Sequence, residues 1–150
     1  MILGPRTPAH PDGGLIAPFD ALRVTGERAA EVIAPPYDVI STEEALKRSS
    51  GKPANFLHVS RAEIGFPLGT DPYSPEIYDR AAQNLDAMID GGAMICAPKP
   101  AYFVYRMQIS DHIQTGLAGG ASIAAYEAGA IKRHELTRPE KEDDLSLIHI

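Results

Sequence analysis

The chain has 150 residues, which is about the length of one globular domain. Hydrophobic residues make up 44% of it and charged residues 23%, which excludes a wholly disordered protein, a collagen and a coiled coil. Thirteen glycines and thirteen prolines favour frequent turns and argue against an all-helical bundle. The net charge of −6, with no run of Lys or Arg longer than two residues, argues against nucleic acid as the main partner.

The sequence contains one cysteine, Cys96, so it can form neither an internal disulfide nor a cysteine-based zinc site. The apolar residues around Cys96 predict a buried structural thiol rather than a nucleophile. No apolar run approaches the roughly 18 residues of a membrane span, and residues 1–12 lack a hydrophobic signal region. We therefore expect a cytoplasmic protein that does not cross a membrane.

The first half of the chain contains several short predicted elements. Residues 1–14 are rich in proline and glycine and predict a flexible tail. Residues 15–24 indicate an extended segment, and residues 27–33 a short helical turn that ends before two prolines. Ser41 and Glu44 form a Ser-x-x-Glu capping box, which predicts a helix to about Ser49. The following segment FLHVS, residues 56–60, is a strand candidate.

The clearest helix covers residues 75–90, because Ser74 suits the N-cap and Pro75 the first helical position. Its apolar residues recur at helical spacing and form one stripe: Ile77, Ala81, Leu85, Met88 and Ile89. Residues 101–109 predict a strand, Asp111 and His112 a turn, and residues 113–125 a return strand that three glycines weaken. This order indicates an α+β fold, a mixed or antiparallel sheet with packed helices, in which the stripe packs against the sheet.

The first candidate site is the segment Ala-Pro-Pro-Tyr-Asp at residues 34–38. Its two prolines remove two N–H donors and fix two φ angles, so the segment presents Tyr37 and Asp38 in a defined direction. A carboxylate held in this way suits a catalytic or binding site. The alternative is a rigid connector that places Asp38 near the start of the next helix.

The second candidate site is the charged stretch at residues 132–144, which combines a histidine with carboxylates, a hydroxyl and cations. Such side chains suit acid–base catalysis, oxygen ligation of a divalent cation, or phosphate binding through Arg138 and Lys141. None of their spacings is diagnostic, so a solvated charged loop remains the alternative.

The last six residues, LSLIHI, resemble the translation of a transposon end used in preparing sequencing libraries. We therefore expect residues 145–150 to be non-native and residues 15–144 to be the N-terminal part of a single, truncated α+β domain. The alternative is a genuine final strand.

Several segments resemble, in the same order, the bacterial and archaeal family known as domain of unknown function 1015. They are APFDALRV (17–24), VIAPPYDVIS (32–41), NFLHVSRAE (55–63), YDRAAQNLDAMIDGGAM (78–94), AYFVYRM (101–107) and HELTRPEKEDDL (134–145). The most specific parts are the Ala-Pro-Pro-Tyr-Asp block and the His-Glu-x-Thr…Lys-Glu-Asp block. The second block departs from the family pattern at its end, where Asp144 stands in place of the usual arginine. The resemblance implies a fold like that of the ParB/sulfiredoxin group.

The resemblance also implies a small-molecule phosphotransferase, a kinase of free serine or a similar hydroxyl substrate that uses Mg²⁺ and a nucleotide. The alternative is a nucleotide-responsive binding or regulatory module without turnover. The oligomeric state stays open.

Residue by residue, the implied site combines three roles. The expected catalytic residues are Asp38, His134 and Glu135. The expected substrate and phosphate ligands are Arg23, Tyr37, Asn55, Thr137, Arg138 and Lys141, and the expected Mg²⁺ ligands are Glu142 and Asp143. From its place in the chain alone, Asn55 suits a turn equally well. We expect Asp38 and the His134–Glu135 pair to meet in one cleft.

Overall fold

The computed structural model describes residues 14–132 and residue 139. The predicted tail, apart from residue 14, and the predicted non-native residues 145–150 lie outside this part. The chain divides into two compact units, whose described residues are 14–23 with 96–132 in the first, and 24–95 with residue 139 in the second.

Helices and short antiparallel strands together confirm the predicted α+β class. The strands are β1 (Ile16–Ala17), β2 (Leu22–Val24), β3 (Met94–Cys96), β4 (Phe103–Ile109), β5 (His112–Ala118) and β6 (Gly120–Ala121). The α-helices are α1 (Ala29–Val32), α2 (Thr42–Ser49), α3 (Leu57–Ser60), α4 (Pro75–Asp90) and α5 (Ile123–Glu127). The strands pair as β1–β6, β2–β3 and β4–β5, and the first and last of these pairs are antiparallel.

The first unit contains the β4–β5 hairpin, in which Phe103 pairs with Ala118 and Ile109 with His112. Its turn lies at residues 110–111, one residue earlier than predicted. Ser110 has a φ of 52°, which supplies the left-handed backbone that two-residue hairpin turns require.

The predicted return strand to residue 125 was wrong in its second half. β5 ends at Ala118, and α5 begins at Ile123 because the Ser122 hydroxyl accepts a hydrogen bond from the Ala125 amide. Gly119 separates β5 from β6 at a tight point, since a Cβ there would lie 3.1 Å from the Tyr102 ring.

The second unit is mainly helical, and its core includes two clusters of buried residues. Ala45, Leu57 and Ile64 form the first, with Ala34 and Ile40 packed against it. Ala62, Ile77 and Ala81 form the second, with Phe66 packed against it. Ile77 and Ala81 of the predicted α4 stripe therefore pack against the 3-10 turn Ala62–Gly65 of the same unit. This correction to the expected helix-on-sheet packing follows from the helical segments that precede α4.

The segment predicted as a strand at residues 56–60 is the short helix α3. Leu57 and Val59 are buried, and this alternation imitates a strand. Asn55 favours a helical turn over a strand here. Its side-chain Oδ1 accepts a hydrogen bond from the Leu57 amide at 3.1 Å, which starts the turn.

Cys96 was predicted to be buried, and this prediction was wrong, because the residue is exposed at the end of β3. The buried residues of this strand segment are Ala93 and Met94 instead.

The long helix α4 has the bounds that the sequence predicts, Pro75–Asp90. No helix in the described part of the chain has both the length and the apolar character needed to cross a membrane. The Ser74 hydroxyl, however, makes no cap hydrogen bond, and its buried Oγ has no partner among the described residues. Pro75 at the first helical position therefore supports the helix start without the serine cap.

The predicted capping box of α2 forms in part. The Ser41 Oγ accepts a hydrogen bond from the Glu44 amide at 3.2 Å, as predicted. The Glu44 carboxylate does not take part, because it pairs with Arg48 Nη2 at 2.6 Å, one helical turn later.

These two serines give opposite expectations for stability. Ser41→Ala should lower the free energy of unfolding by about 0.5–2 kcal/mol, because it removes an N-cap bond. Ser74→Ala should leave that free energy unchanged or raise it, because it removes a buried hydroxyl without a partner. Urea unfolding of the two variants beside the parent chain measures both effects. A larger loss in Ser74→Ala than in Ser41→Ala would contradict this interpretation of the helix starts.

Candidate functional site

A cleft of about 660 Å³ lies within the second unit. This volume falls in the range typical of small-molecule sites. Residues 37–46, 59–73 and 77–81 supply the side chains that line it. The polar lining residues include Asp38, Ser41, Thr42, Glu43, Arg61 and Glu63.

The first predicted site segment forms one edge of this cleft. Pro36 has a φ of −54° and leads into a 3-10 turn, Tyr37–Val39, after which Ile40 is extended. Asp38, the middle residue of the turn, is exposed and lines the cleft, while Tyr37 is half-buried beside it. The stiff presentation expected from the two prolines is therefore combined with an open cavity.

Arg61, which directly follows α3, connects to this turn through its guanidinium group. Its Nη1 donates hydrogen bonds to the carbonyl oxygens of Tyr37 and Ile40, each at 2.8 Å. Its Nη2 donates to the Thr42 hydroxyl at 2.9 Å. The guanidinium thus holds the beginning and the end of the turn that carries Asp38.

The charge of Arg61 is balanced by Glu63, whose Oε1 lies 2.6 Å from Arg61 Nε. The side chains of Arg61 and Glu63 are only 18% and 10% exposed, so solvent screens this ion pair weakly. Four of the five guanidinium N–H groups are used in these bonds, which leaves at most one for a ligand. Arg61 is therefore better suited to holding the protein backbone than to binding a phosphate.

Asn55 holds the backbone just before the Ala-Pro-Pro-Tyr-Asp segment. Its side chain is buried, and the Nδ2 donates a hydrogen bond to the Ile33 carbonyl at 2.7 Å, just before Ala34 and the two prolines. Together with the Oδ1 bond to the Leu57 amide, this joins the proline segment to α3. These bonds support a positioning role for Asn55, and its predicted contact with substrate or phosphate stays a prediction.

Much of the remaining lining of the cleft is apolar. Phe66, Ile77 and Tyr78 line it, together with Leu68 and Tyr73 from the loop at residues 67–73. Leu68 and Tyr73 are 74% and 65% exposed, so this loop presents apolar surface at the opening. The cleft therefore offers a polar edge and an apolar wall, which suits a small ligand of mixed character.

Of the predicted site residues in the described part of the chain, Asp38 and Tyr37 lie together at the cleft. Arg23 is exposed in the middle of β2. The remaining predicted residues lie outside the described residues: His134, Glu135, Thr137, Arg138, Lys141, Glu142 and Asp143. The expected meeting of Asp38 with the His134–Glu135 pair stays a prediction.

The predicted Mg²⁺ ligands are among those seven residues. Within residues 14–132 no group of three or more His, Cys, Asp or Glu side chains is arranged to hold a metal ion. The cleft edge carries Asp38, Glu43 and Glu63, and Glu63 is paired with Arg61.

Arg61, Glu63 and Thr42 were not predicted from the sequence as parts of the site. An arginine two residues before a glutamate is a common pattern on any protein surface and predicts nothing specific. The useful signal lay in the segment NFLHVSRAE, which carries both Asn55 and Arg61, and residues 56–60 of this segment were interpreted as a strand.

Fold and cleft together define an α+β protein whose helical unit contains a cavity of small-molecule size, with a carboxylate on a rigid turn at its edge. The family profile described as "Protein of unknown function (DUF1015)" matches residues 16–148, and the chain belongs to this family. This confirms the resemblance that the sequence segments indicate. No curated protein and no solved structure matches the chain.

Proposed function

We propose that the protein is a phosphotransferase that acts on a small hydroxyl-bearing substrate, free serine or a molecule like it. The observation that carries the proposal is the exposed Asp38 carboxylate, held on a 3-10 turn at the edge of a cleft of about 660 Å³. Many phosphoryl transfers use a carboxylate that orients or deprotonates the accepting hydroxyl, and the exposure of Asp38 at the cleft supports this role.

In the proposed reaction the substrate hydroxyl lies against Asp38, and its proton passes to a carboxylate oxygen of Asp38. The hydroxyl oxygen forms a bond to the terminal phosphorus of the nucleotide, ATP or ADP, as the bond between that phosphorus and the bridging oxygen breaks. The leaving nucleotide takes the electron pair. Asp38 thus acts as the general base. In the alternative assignment, Glu135 takes this role instead.

The phosphate groups require positive charge, which we assign to Arg138 and Lys141. His134 orients a carboxylate or binds a phosphate oxygen. Mg²⁺, when bound, neutralises phosphate charge, and Glu142 and Asp143 are its proposed ligands.

The lining of the cleft supports a small substrate that carries a hydroxyl group. Ser41 and Thr42 bring hydroxyl groups to the polar edge, close in sequence to Asp38. Phe66 and Ile77 add apolar side chains to the lining.

The test is a transfer assay with the full chain, Mg²⁺, ATP or ADP, and a pool of free amino acids, with phosphorylated products identified by mass spectrometry. Asp38→Asn should lower the transfer rate by about 10²–10⁴-fold, the usual contribution of a general base. Folding should be unaffected because the two side chains are nearly isosteric and Asp38 is exposed. Glu135→Gln tests the other candidate base in the same assay.

Asp79→Asn is the matched control, because Asp79 is an exposed aspartate on α4 that does not line the cleft. Equal rates for Asp38→Asn and Asp79→Asn would contradict the role of Asp38. Nucleotide binding without any transfer would instead favour the regulatory module.

A further inference from the structure

We infer that Arg61 is a positioning residue that fixes the location of the Asp38 carboxylate at the cleft. The inference deepens the proposed function and rests on it for the role of Asp38. Arg61 itself is assigned no contact with substrate, because its N–H groups are directed at the protein.

The 3-10 turn at residues 37–39 is held only weakly by its own hydrogen bond. The Val39 amide lies 3.4 Å from the Pro36 carbonyl, which is at the long end of hydrogen-bond distances. The prolines restrict the approach to the turn, but they do not fix Asp38 relative to residues 59–73, which form the next part of the cleft.

Arg61 supplies this missing connection. A single nitrogen, Nη1, binds the Tyr37 and Ile40 carbonyls, which lie on either side of Asp38 and Val39. Moving the turn away from residue 61 therefore breaks two hydrogen bonds to a charged donor, and such bonds are the stronger ones.

Two further bonds set the orientation of the guanidinium plane. Nη2 reaches the Thr42 hydroxyl at the first residue of α2, and Nε binds Glu63 at 2.6 Å. Because the guanidinium is planar and rigid, contacts along two of its edges fix the direction of its remaining N–H groups. The turn, the start of α2 and the segment after α3 are thus held by one group.

Holding these four acceptors requires the forked shape of the guanidinium, because a positive charge alone cannot bind all of them. A lysine at position 61 keeps one positive charge for Glu63, but its single nitrogen cannot reach four acceptors in the arrangement that the arginine fork supplies. Arg61→Lys should therefore leave the ion pair in place and release the turn.

The test compares Arg61→Lys with Arg28→Lys. Arg28 is a matched control because it also combines an ion pair, to Glu31 at 2.8 Å, with a backbone bond, to the Gly91 carbonyl at 3.0 Å. Arg28 does not line this cleft.

Two quantities are measured on the full chain: amide hydrogen exchange by mass spectrometry, and kcat with KM in the transfer assay. In Arg61→Lys, exchange across residues 36–44 should rise by about tenfold or more, the shift expected when hydrogen bonds to a charged group are lost. Exchange across residues 77–90 should not change. The kcat should fall by about 10²-fold with KM nearly constant, because a misplaced catalytic group costs that much. Arg28→Lys should change none of these values.

Unchanged exchange across residues 36–44 in Arg61→Lys would overturn the inference, whatever the activity. A parent chain that transfers no phosphate would instead refute the proposed function, and the exchange result would still decide the inference. Thr42→Val provides a second variant if Arg61→Lys does not fold, because it removes one acceptor and leaves the Arg61–Glu63 pair intact. It should raise exchange in the same segment, and no rise there would count against the inference.

Discussion

Replacing Arg61 with methionine should lower the free energy of unfolding by about 3–5 kcal/mol, because it leaves a mostly buried carboxylate without its opposite charge. The Glu63 side chain is 10% exposed and pairs with Arg61 at 2.6 Å. The same change leaves the Tyr37 and Ile40 carbonyls without their donor. Chemical denaturation of the variant beside the parent chain measures the loss.

A double variant separates the buried charge from the packing of the arginine side chain. Arg61→Met combined with Glu63→Leu should recover much of the lost stability, because it removes both charges at once. Arg28→Met is the control and should cost about 1 kcal/mol or less, because the Arg28–Glu31 pair is 35% and 54% exposed. A double variant less stable than Arg61→Met alone would contradict this account.

The second large effect is expected in the core of the helical unit. Leu57→Ala should lower the free energy of unfolding by about 2–5 kcal/mol, because it leaves a cavity beside Ala45 and Ile64. Leu57 is fully buried, with an exposed fraction of 0%.

Leu68→Ala is the matched control for this change, because the same side chain is removed where it is 74% exposed. It should change the free energy of unfolding by less than about 0.5 kcal/mol. Thermal or urea unfolding of both variants distinguishes the two positions. A similar loss in both would mean that Leu57 does not anchor the core.

Some elements of the fold are predictable because their signals are local. α4 was located to its end residues by Pro75 and the apolar stripe. α2 was located by Ser41, whose cap bond depends only on the next three residues. Local chemistry of this kind acts over one helical turn and is therefore visible in sequence.

Other elements depend on contacts that sequence does not display. α3 has only four residues, so the helical period cannot appear in it, and Leu57 and Val59 alternate as they would in a strand. The stiffness of the Pro35–Pro36 segment predicted that Asp38 is presented in a defined direction. The role of Arg61 was not predictable, because two of its acceptors are backbone carbonyls, 24 and 21 residues earlier in the chain. Backbone carbonyls are present at every residue and carry no sequence signature.

The β4–β5 hairpin has a consequence for how the protein opens locally. Val104, Ile109 and Leu117 on its strands are all more than half exposed. A two-stranded hairpin is only marginally stable by itself, and regions with few buried contacts separate at a lower free-energy cost than the core. The bonds from Arg61 to the Asp38 turn and to α2 involve only residues 37, 40, 42 and 61. Fraying of the hairpin therefore breaks none of these hydrogen bonds. A ligand that suppresses local opening in one region need not suppress it in the other.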